Sequence, residues 1–339
     1  MNKFLAPAAF IYGIITLFRN ALYDLRIIKT YNIPIKSICV GNLSVGGTGK
    51  SPMVAYLIDH FKNKKKLHIL SRGYGRETKG YVLADERASH LTIGDEPFMY
   101  YKRFSPQIKV SVSEQRKEGI EKILLNENPD LLILDDAFQH RKVKAGFNIV
   151  LSDFSKPFYK DYLLPVGRLR ESRDGIKRAD LLIYSKCPEN LTEKDKLKAI
   201  KKSKLSSEKV YFSKVKYGEL KSFSTKIPPK LEQVLLVTGI ANPSPLIDFL
   251  KQNYQVECLQ FSDHHNFSIA DIVKIHKKFD TFVTDNKAIV TTEKDYVRLL
   301  TPEFSDLLSQ KPWLYQQMTI EIDRTKEFLE IIEEYVRTI

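Results

Sequence analysis

Residues Ile35–Pro52, with the sequence IKSICVGNLSVGGTGKSP, decide the fold class of this 339-residue chain. A short apolar run ends at Gly41, a glycine-rich loop follows, and a segment with helical spacing begins at about Lys50. A strand, a glycine-rich loop and a helix in this order form a phosphate-binding loop, because backbone N–H groups and the helix N-terminus both favour an anion. The stretch therefore predicts a nucleotide-binding α/β protein.

The loop itself supplies the predicted nucleotide contacts. In the pattern G-x-x-x-x-G-K-[ST] the lysine meets the β- and γ-phosphates, and the final hydroxyl holds Mg²⁺. The full pattern would place glycine at position 44, where this chain has Ser44. A glycine-rich turn without a ligand is the alternative. The residues predicted to bind ATP are Gly46, Gly47, Thr48, Gly49, Lys50 and Ser51.

A second element is expected to complete a Mg²⁺ site with Ser51. The apolar run Leu131–Leu134 ends in Asp135 and Asp136, which is the form of a Walker B strand. Adjacent residues of a strand point to opposite faces, so only one of the two carboxylates is expected to contact the metal directly. Without the loop, such a strand end would be interpreted as a surface feature.

Short apolar runs alternate with helical segments along the whole chain, and this alternation is typical of a parallel sheet. We predict a P-loop NTPase-like, mostly parallel sheet domain over residues 31–225 and a smaller α/β domain over 226–339. Pro228-Pro229 marks the boundary. The lysine-rich segment from Lys194 to Lys216 is interpreted as a solvated helical face. Predicted strands are Ile35–Val40, Leu67–Leu70, Ile108–Val112, Leu131–Leu134, Ile149–Leu151, Leu181–Tyr184, Val234–Val237, Val256–Phe261, Ala288–Thr291 and Tyr315–Ile322.

Residues 1–30 form a separate N-terminal segment. Phe4–Phe18 carries no charge, but its fifteen residues fall short of the roughly 20 needed to span a bilayer as a helix. Arg19, Arg26 and Lys29 follow it, and basic flanks on an apolar helix indicate an interface with anionic headgroups. We predict a shallow membrane-associating helix. A helix packed on the protein's own core, a true span and a cleaved signal are the alternatives.

Composition restricts the partners. The chain has 54 Lys and Arg against 41 Asp and Glu, a net charge of +13, which predicts attraction to nucleic acid, an anionic membrane or a phosphorylated substrate. A hydrophobic fraction of 43% excludes disorder as a description of the whole chain. Cys39, Cys187 and Cys258 are far apart, so neither disulfides nor a zinc cluster are predicted.

Taken in order, the motifs of the chain closely resemble those of the tetraacyldisaccharide 4′-kinase family of lipid A synthesis, and the resemblance covers nearly the whole chain. The family usually has Thr at the position of Ser51, and both residues supply a hydroxyl. The shared motifs are Gly41-Asn42, Val45–Pro52 (VGGTGKSP), Ser71–Gly75 (SRGYG), Gly94–Pro97 (GDEP), Asp135–His140 (DDAFQH), Leu164–Glu171 (LPVGRLRE), Thr238–Pro243 (TGIANP), Phe261–His264 (FSDH) and Thr292–Asp295 (TEKD).

The resemblance implies a kinase that uses ATP and Mg²⁺ to phosphorylate the 4′-hydroxyl of a lipid disaccharide 1-phosphate at the cytoplasmic face of the inner membrane. It also implies that Asp95 is the catalytic base and that His264, from the second domain, pairs with it. From the sequence alone, Asp95 would be interpreted as a helix N-cap, because Pro97 and an apolar run follow.

Further roles follow from the resemblance and from the chemistry of guanidinium groups, which bind phosphate well. Arg170 is expected at the γ-phosphate and Glu171 in the Mg²⁺ shell, whereas Arg72 and Arg116 are candidates for the substrate's 1-phosphate. Each arginine could equally form a solvated ion pair. Gln139 and His140 are expected to line the acceptor side. The motif Thr292–Asp295 receives no mechanistic role at this stage.

Two other functions stay open. A membrane-associated assembly or regulatory ATPase would carry a signature lysine where this chain has Val45, which counts against that hypothesis. A nucleic-acid-binding protein would fit the charge, but the sequence contains no recognised nucleic-acid module. We therefore expect a lipid substrate and a membrane surface as partners and no nucleic acid, and no protein partner is implied.

Overall fold

The computed structural model describes residues 5–224 and 228–337, and within them one twelve-stranded sheet runs through the molecule. The strands are β1 (Tyr31–Asn32), β2 (Lys36–Asn42), β3 (Leu67–Ser71), β4 (Val82–Leu83), β5 (Ile108–Val112), β6 (Leu131–Asp135), β7 (Val143–Lys144), β8 (Phe147–Asp153), β9 (Leu181–Ser185), β10 (Val210–Ser222), β11 (Gln233–Thr238), β12 (Gln255–Gln260), β13 (Lys287–Thr292) and β14 (Trp313–Ile322).

The helices lie between these strands and complete an alternating α/β pattern. They are α1 (Ala6–Asp24), α2 (Lys50–Phe61), α3 (His90–Ile93), α4 (Asp95–Phe104), α5 (Arg116–Asn126), α6 (Glu193–Ser203), α7 (Ser244–Leu250), α8 (Ile269–Asp280), α9 (Glu293–Leu299), α10 (Ser305–Leu308) and α11 (Thr325–Arg337). The ten predicted strands are all present, most of them within one or two residues of the predicted bounds.

The strand order is β12-β11-β13-β14-β10-β9-β8-β2-β6-β3-β5-β4. Neighbours are parallel except β10 with β14 and β4 with β5, while β1 and β7 form a separate parallel pair. Strands β3 and β6 are buried along their whole length, as expected for apolar strands that carry helices on both faces. The predicted α/β class with a mostly parallel sheet is confirmed.

The prediction for the segment from Lys194 to Lys216 is wrong in its second half. Helix α6 ends at Ser203, where Lys204 adopts a left-handed conformation, and residues 210–222 form the longest strand of the sheet. Its first four residues, Val210–Ser213, are buried; Val210–Phe212 pair with β9, and the pairing with β14 begins at Ser213. Pairing with neighbouring strands therefore decides the conformation of this lysine-rich stretch, and composition does not reveal it.

The predicted boundary at 225/226 lies outside the described residues, and the division into domains stays a prediction. The antiparallel strands β10 and β14 join the two parallel halves of the sheet. Helix α11 returns to the first half, where Phe328, Ile332 and Val336 are buried in the same core as residues of β2 and α2. As a result, α11 stabilises the half of the sheet that contains β2.

Candidate active site

The phosphate loop lies at the carboxyl end of β2, where α2 begins. Gly46 has φ of +101° and Gly49 has φ of +83°, a backbone region that residues with a Cβ rarely adopt. Asn42 Nδ2 donates a hydrogen bond of 2.7 Å to Thr48 Oγ1, and Ser185 Oγ donates one of 2.8 Å to the Thr48 carbonyl. The ends of β2 and β9 thus hold the loop in shape from two sides.

Charged groups converge beside this loop. Lys50 Nζ lies 3.7 Å from Asp136 Oδ1, and Arg170 Nη1 donates to both carboxylate oxygens of Asp136 at 2.9 and 3.1 Å. Asp136 directly follows β6 and has φ of +50°, so its side chain is no longer directed by the alternation of the strand. The structure therefore brings together three of the predicted residues at the loop. We call residues Gly46–Ser51 with Asp135, Asp136 and Arg170 the P-loop edge.

Asp135, the last residue of β6, is a buried carboxyl group within the P-loop edge. Burial raises its pKa to about 7, and the negative charges of Glu96 and Asp136 add to this effect. The Tyr100 hydroxyl lies 3.4 Å from Asp135 Oδ2 and also interacts with Ser51, which places those two predicted ligands around one tyrosine. A buried carboxylate with this excess of negative neighbours and a nearby hydroxyl is a donor set that suits Mg²⁺.

Among the described residues, no three His, Cys, Asp or Glu side chains are grouped as a metal site. Mg²⁺ in nucleotide sites usually needs only one or two carboxylates, because phosphates and water supply the remaining ligands. The small donor set of Ser51, Asp135 and Asp136 is therefore compatible with this ion.

Glu171 has a different setting from the one predicted. Its side chain is fully buried, and it accepts hydrogen bonds from Arg178 Nη2 at 2.6 Å, Gln139 Nε2 at 2.9 Å and Asn20 Nδ2 at 2.8 Å. Three donors, one of them charged, occupy this carboxylate, so the geometry favours a structural role over the Mg²⁺ shell. Gln139 also donates to the Asn42 carbonyl, which connects Glu171 to the end of β2.

Asp95 lies on the other side of the site, at the start of α4. The expected N-cap role is wrong by one residue: Gly94 is the N-cap, with φ of +90°, and Asp95 is the first helical residue. Its carboxylate makes no capping bond and instead lies 3.2 Å from His264 Nδ1, while Arg298 Nε and Nη2 donate to it at 3.0 and 2.5 Å. The structure therefore brings Asp95 and His264 together across 169 positions of sequence.

The charges around Asp95 explain its ionisation. Burial alone would raise the pKa of Asp95, but hydrogen bonds from His264 and Arg298 and the charge of Arg298 hold it far below its usual value. Conversely, the hydrogen bond with Asp95 raises the pKa of His264. Beside this pair, Lys294 Nζ contacts Glu96 Oε1 at 2.5 Å. Asp95 is therefore a carboxylate at neutral pH.

The motif Thr292–Asp295 acquires a structural role here. Thr292 is the N-cap of α9, and its hydroxyl donates to Asp295 Oδ2 at 2.7 Å. The Gly239 amide donates to the same oxygen at 3.0 Å, and Arg298 Nη1 donates to Asp295 Oδ1 at 3.0 Å. The motif thus fixes α9 so that Arg298 reaches Asp95. We call Asp95, His264, Asp295 and Arg298 the Asp95 cluster.

The predicted substrate residues are divided between surface and interior. Arg72 is exposed just after β3. Arg116 is buried at the start of α5, donating to the carbonyls of Ser113 and Asp135, and burial lowers its pKa to about 10. His140 is half-buried, and burial with the charge of Arg116 lowers its pKa to about 4, so this imidazole is neutral at pH 7.

Sequence reasoning missed Arg298 and Asn20, which contact the predicted site residues Asp95 and Glu171, and Lys294, which contacts Glu96 beside Asp95. Lys294 lies inside the motif Thr292–Asp295, and Arg298 follows Asp295 by three positions, which is one helical turn. That spacing indicates that Asp295 and Arg298 lie on the same face of one helix. No pattern indicated that Asn20, on α1, would reach Glu171.

Comparisons with known proteins give matches over nearly the whole chain. The family model described as tetraacyldisaccharide-1-P 4′-kinase matches residues 1–337. A tetraacyldisaccharide 4′-kinase from Flavobacterium johnsoniae is 43% identical over 343 residues, which cover 99% of this chain and 98% of that protein. One from Parabacteroides distasonis is 42% identical and covers 99% and 95%, respectively.

A solved structure is similar over the same length. It is the crystal structure of the "apo" form of LpxK from Aquifex aeolicus in complex with ATP, which is 29% identical, has a TM-score of 0.77 and covers 98% of each chain. The match over nearly the full length and the fold together show the family. The chain belongs to the tetraacyldisaccharide-1-P 4′-kinase family and is a kinase of lipid A biosynthesis.

Proposed function

We propose that this chain carries out its family's reaction, transfer of the γ-phosphoryl group of ATP to the 4′-hydroxyl of a tetraacyldisaccharide 1-phosphate, with Asp95 as the base. The observation that carries the proposal is the carboxylate of Asp95, which is held ionised by His264 and Arg298 at the start of α4. The same helix carries Tyr100, which contacts Asp135 in the P-loop edge. A single short helix thus connects base and nucleotide site.

ATP would occupy the P-loop edge. The N–H groups of residues 46–51 and the N-terminus of α2 are arranged to bind its phosphates, as the conformations of Gly46 and Gly49 support. Lys50 and Arg170 now share the carboxylate of Asp136, and both cations would face the phosphate charge that develops during transfer. Asp136 keeps these two side chains in place before ATP arrives.

Ser51 and Asp135 would hold Mg²⁺, with Asp136 as a second carboxylate nearby. When bound, this ion neutralises charge on the β- and γ-phosphates. The raised pKa of Asp135 supports the assignment, because a carboxyl group in that environment gains more from a cation than an exposed one does.

Asp95 would receive the proton of the 4′-hydroxyl as the oxygen attacks the γ-phosphorus and the bond to the bridging oxygen of ADP breaks. A sugar hydroxyl is a weak nucleophile, so a positioned carboxylate contributes to the rate. Arg72 is the better candidate for the 1-phosphate, since its side chain is exposed, whereas Arg116 is buried against backbone carbonyls. His140 would contact the acceptor as a neutral imidazole.

A membrane surface is proposed as the site of the reaction, and α1 as the element that meets it. No described helix is both long enough and apolar enough to cross a bilayer. The inner side of α1 is fixed by Tyr12, which donates to the Arg170 carbonyl at 2.7 Å. On its outer side, six large apolar residues are each between 52% and 70% exposed: Phe10, Ile11, Ile14, Ile15, Leu17 and Phe18. Such a face fits the acyl boundary of the cytoplasmic leaflet of the inner membrane.

The activity is tested by mass spectrometry of the acceptor. Purified protein in detergent with ATP, Mg²⁺ and tetraacyldisaccharide 1-phosphate should yield a product with one added phosphate at the 4′ position. The same incubation with an acceptor blocked at the 4′-hydroxyl is the control and should give none. ATP hydrolysis without a phosphorylated lipid would instead favour the assembly ATPase.

The membrane proposal is tested by sedimentation with vesicles. Changing Ile14 and Phe18 to Ser should reduce binding to vesicles that contain anionic lipid, because two large apolar groups are lost from the inserted face. Val283→Ser is the matched control, since Val283 is 99% exposed but lies far from α1 in the sequence. Equal binding of both variants would contradict the role of α1.

A further inference from the structure

Arg298 is a buried side chain of α9, in the second half of the chain, that contacts Asp95 in the first half. We propose that Arg298 is a positioning residue for the reaction, which holds Asp95 ionised and directs one of its oxygens toward the acceptor hydroxyl. The inference rests on the proposed role of Asp95 as the base. It extends that role to a helix of the second half that carried no assignment.

The guanidinium of Arg298 is divided between two carboxylates. Nε and Nη2 donate to Asp95 Oδ2 at 3.0 and 2.5 Å, and Nη1 donates to Asp295 Oδ1 at 3.0 Å. The Arg298 side chain is only 2% exposed, and Asp295 is fully buried. A planar group with donors in a fixed fork transmits the position of one carboxylate to the other, which a lysine could not do.

Asp295 is itself rigidly held, so the position of Arg298 is set from the second half. Its Oδ2 accepts from the Gly239 amide at 3.0 Å and from the Thr292 hydroxyl at 2.7 Å, and lies 3.3 Å from the Thr238 hydroxyl. Two separate motifs, one after β11 and one at the start of α9, therefore determine where the guanidinium lies. This accounts for the motif Thr292–Asp295.

His264 shares the same oxygen of Asp95. Its Nδ1 lies 3.2 Å from Asp95 Oδ2 and 2.9 Å from Arg298 Nη2. One ring nitrogen cannot donate to the carboxylate and accept from the guanidinium at the same time. Arg298 can thus hold Asp95 without His264, and the imidazole can change its tautomer or charge while the carboxylate stays oriented.

All three contacts fall on Oδ2. Among the described residues, no side chain is hydrogen bonded to Oδ1, so this oxygen is available to accept the proton of the acceptor hydroxyl. A carboxylate that is fixed through one oxygen presents the other in a defined direction, and orientation of a base is a large part of its effect. Arg298 therefore acts on geometry as well as on charge.

The sign of the expected pH effect follows from the groups that face Asp95. An opposite charge within about 4–6 Å lowers a carboxyl pKa by roughly 1–3 units, so loss of Arg298 should raise the pKa of Asp95 by about that much. Protonated Asp95 cannot accept a proton, and activity at low pH should fall first. The charged and titratable groups around Asp95 are Glu96 on its own helix, His90 on α3, His264 after β12, and Lys294 and Arg298 on α9.

The test is the pH profile of kcat/KM for Arg298→Gln and Arg298→Lys. The Gln variant should show an acidic limb displaced upward by about 1–3 pH units, whereas the Lys variant, which keeps the charge, should recover most of the displacement. Arg298→Gln should displace the acidic limb by the same amount in the wild-type protein and in a His264→Gln variant, because the group that titrates is Asp95 and not His264. Arg103→Gln is the matched control: it removes another ion pair between α4 and α9, with Glu293, without contacting Asp95.

The outcomes separate the inference from the proposed function. A loss of activity in Arg298→Gln by the same factor at every pH would overturn the inference and leave only a structural role. If Arg298→Gln lowers thermal stability far more than Arg103→Gln, the pH profile of Arg298→Lys decides. An acidic limb at the wild-type pH in Arg298→Lys supports the inference, and a limb displaced as in Arg298→Gln overturns it. An active Asp95→Asn variant would overturn the proposed base, whereas an inactive one with an unshifted Arg298→Gln profile would overturn this inference alone.

Discussion

The P-loop edge and the Asp95 cluster are built in different ways. The loop with Gly46–Ser51 follows β2, and Asp135 and Asp136 lie at the end of its neighbour β6, so local sequence and the parallel strand order bring them together. In the Asp95 cluster, by contrast, His264 and Arg298 lie 169 and 203 positions from Asp95. The P-loop edge thus belongs to one half of the chain, whereas the Asp95 cluster draws its residues from both halves, so we expect that each can be damaged separately.

The largest expected effect comes from the P-loop edge. Lys50→Ala removes a cation that faces the transferred phosphate, and kcat/KM should fall by about 10³-fold, as for other preorganised groups at a developing charge. Steady-state kinetics and nucleotide binding should both be measured, because ATP affinity should fall as well. The exposed Lys117, which pairs with Glu121 on α5, provides the control in Lys117→Ala. Normal ATP binding in Lys50→Ala would contradict the assignment.

An intermediate effect is expected beneath the P-loop edge. Glu171→Gln leaves Arg178 without its buried charge partner, so the free energy of unfolding, measured with urea, should fall by about 3 kcal/mol. The dependence of turnover on Mg²⁺ should stay unchanged. Glu118→Gln, which breaks an exposed pair with Lys122, should change stability by less than about 0.5 kcal/mol. A raised Mg²⁺ requirement in Glu171→Gln would return this residue to the metal shell.

The smallest effect is expected for His264, within the Asp95 cluster. His264→Gln should lower kcat by about tenfold, less than the roughly 10²–10⁴-fold that a general acid or base contributes, because Arg298 still holds Asp95. ATP affinity should be unchanged, since His264 does not contact the P-loop edge. His265→Gln is the neighbouring control, because its imidazole contacts Asp271 instead. A joint loss of ATP affinity and kcat in His264→Gln would remove the distinction between the two regions.

The same difference explains what the sequence could predict. The P-loop edge was predictable because strand ends and a glycine-rich loop have local signals, and the positions of Lys50, Asp135 and Asp136 agree with them. The pairing of Asp95 with His264 came from family resemblance, because no local pattern relates residues so far apart. Arg298 was missed for the same reason, and β10 because neighbouring strands decide its conformation. The three donors that occupy Glu171 were likewise not indicated by its motif.

Asp95 is the residue on which the proposed transfer depends most directly. Asp95→Asn keeps the size of the side chain and removes the base, so single-turnover phosphorylation of the lipid acceptor should fall at least about 10²-fold. Nucleotide binding, measured on the same preparation, should stay within about threefold, a change below 1 kcal/mol. Turnover within a few-fold of the wild type, or loss of ATP binding with turnover per bound nucleotide preserved, would contradict the assignment of Asp95 as the base.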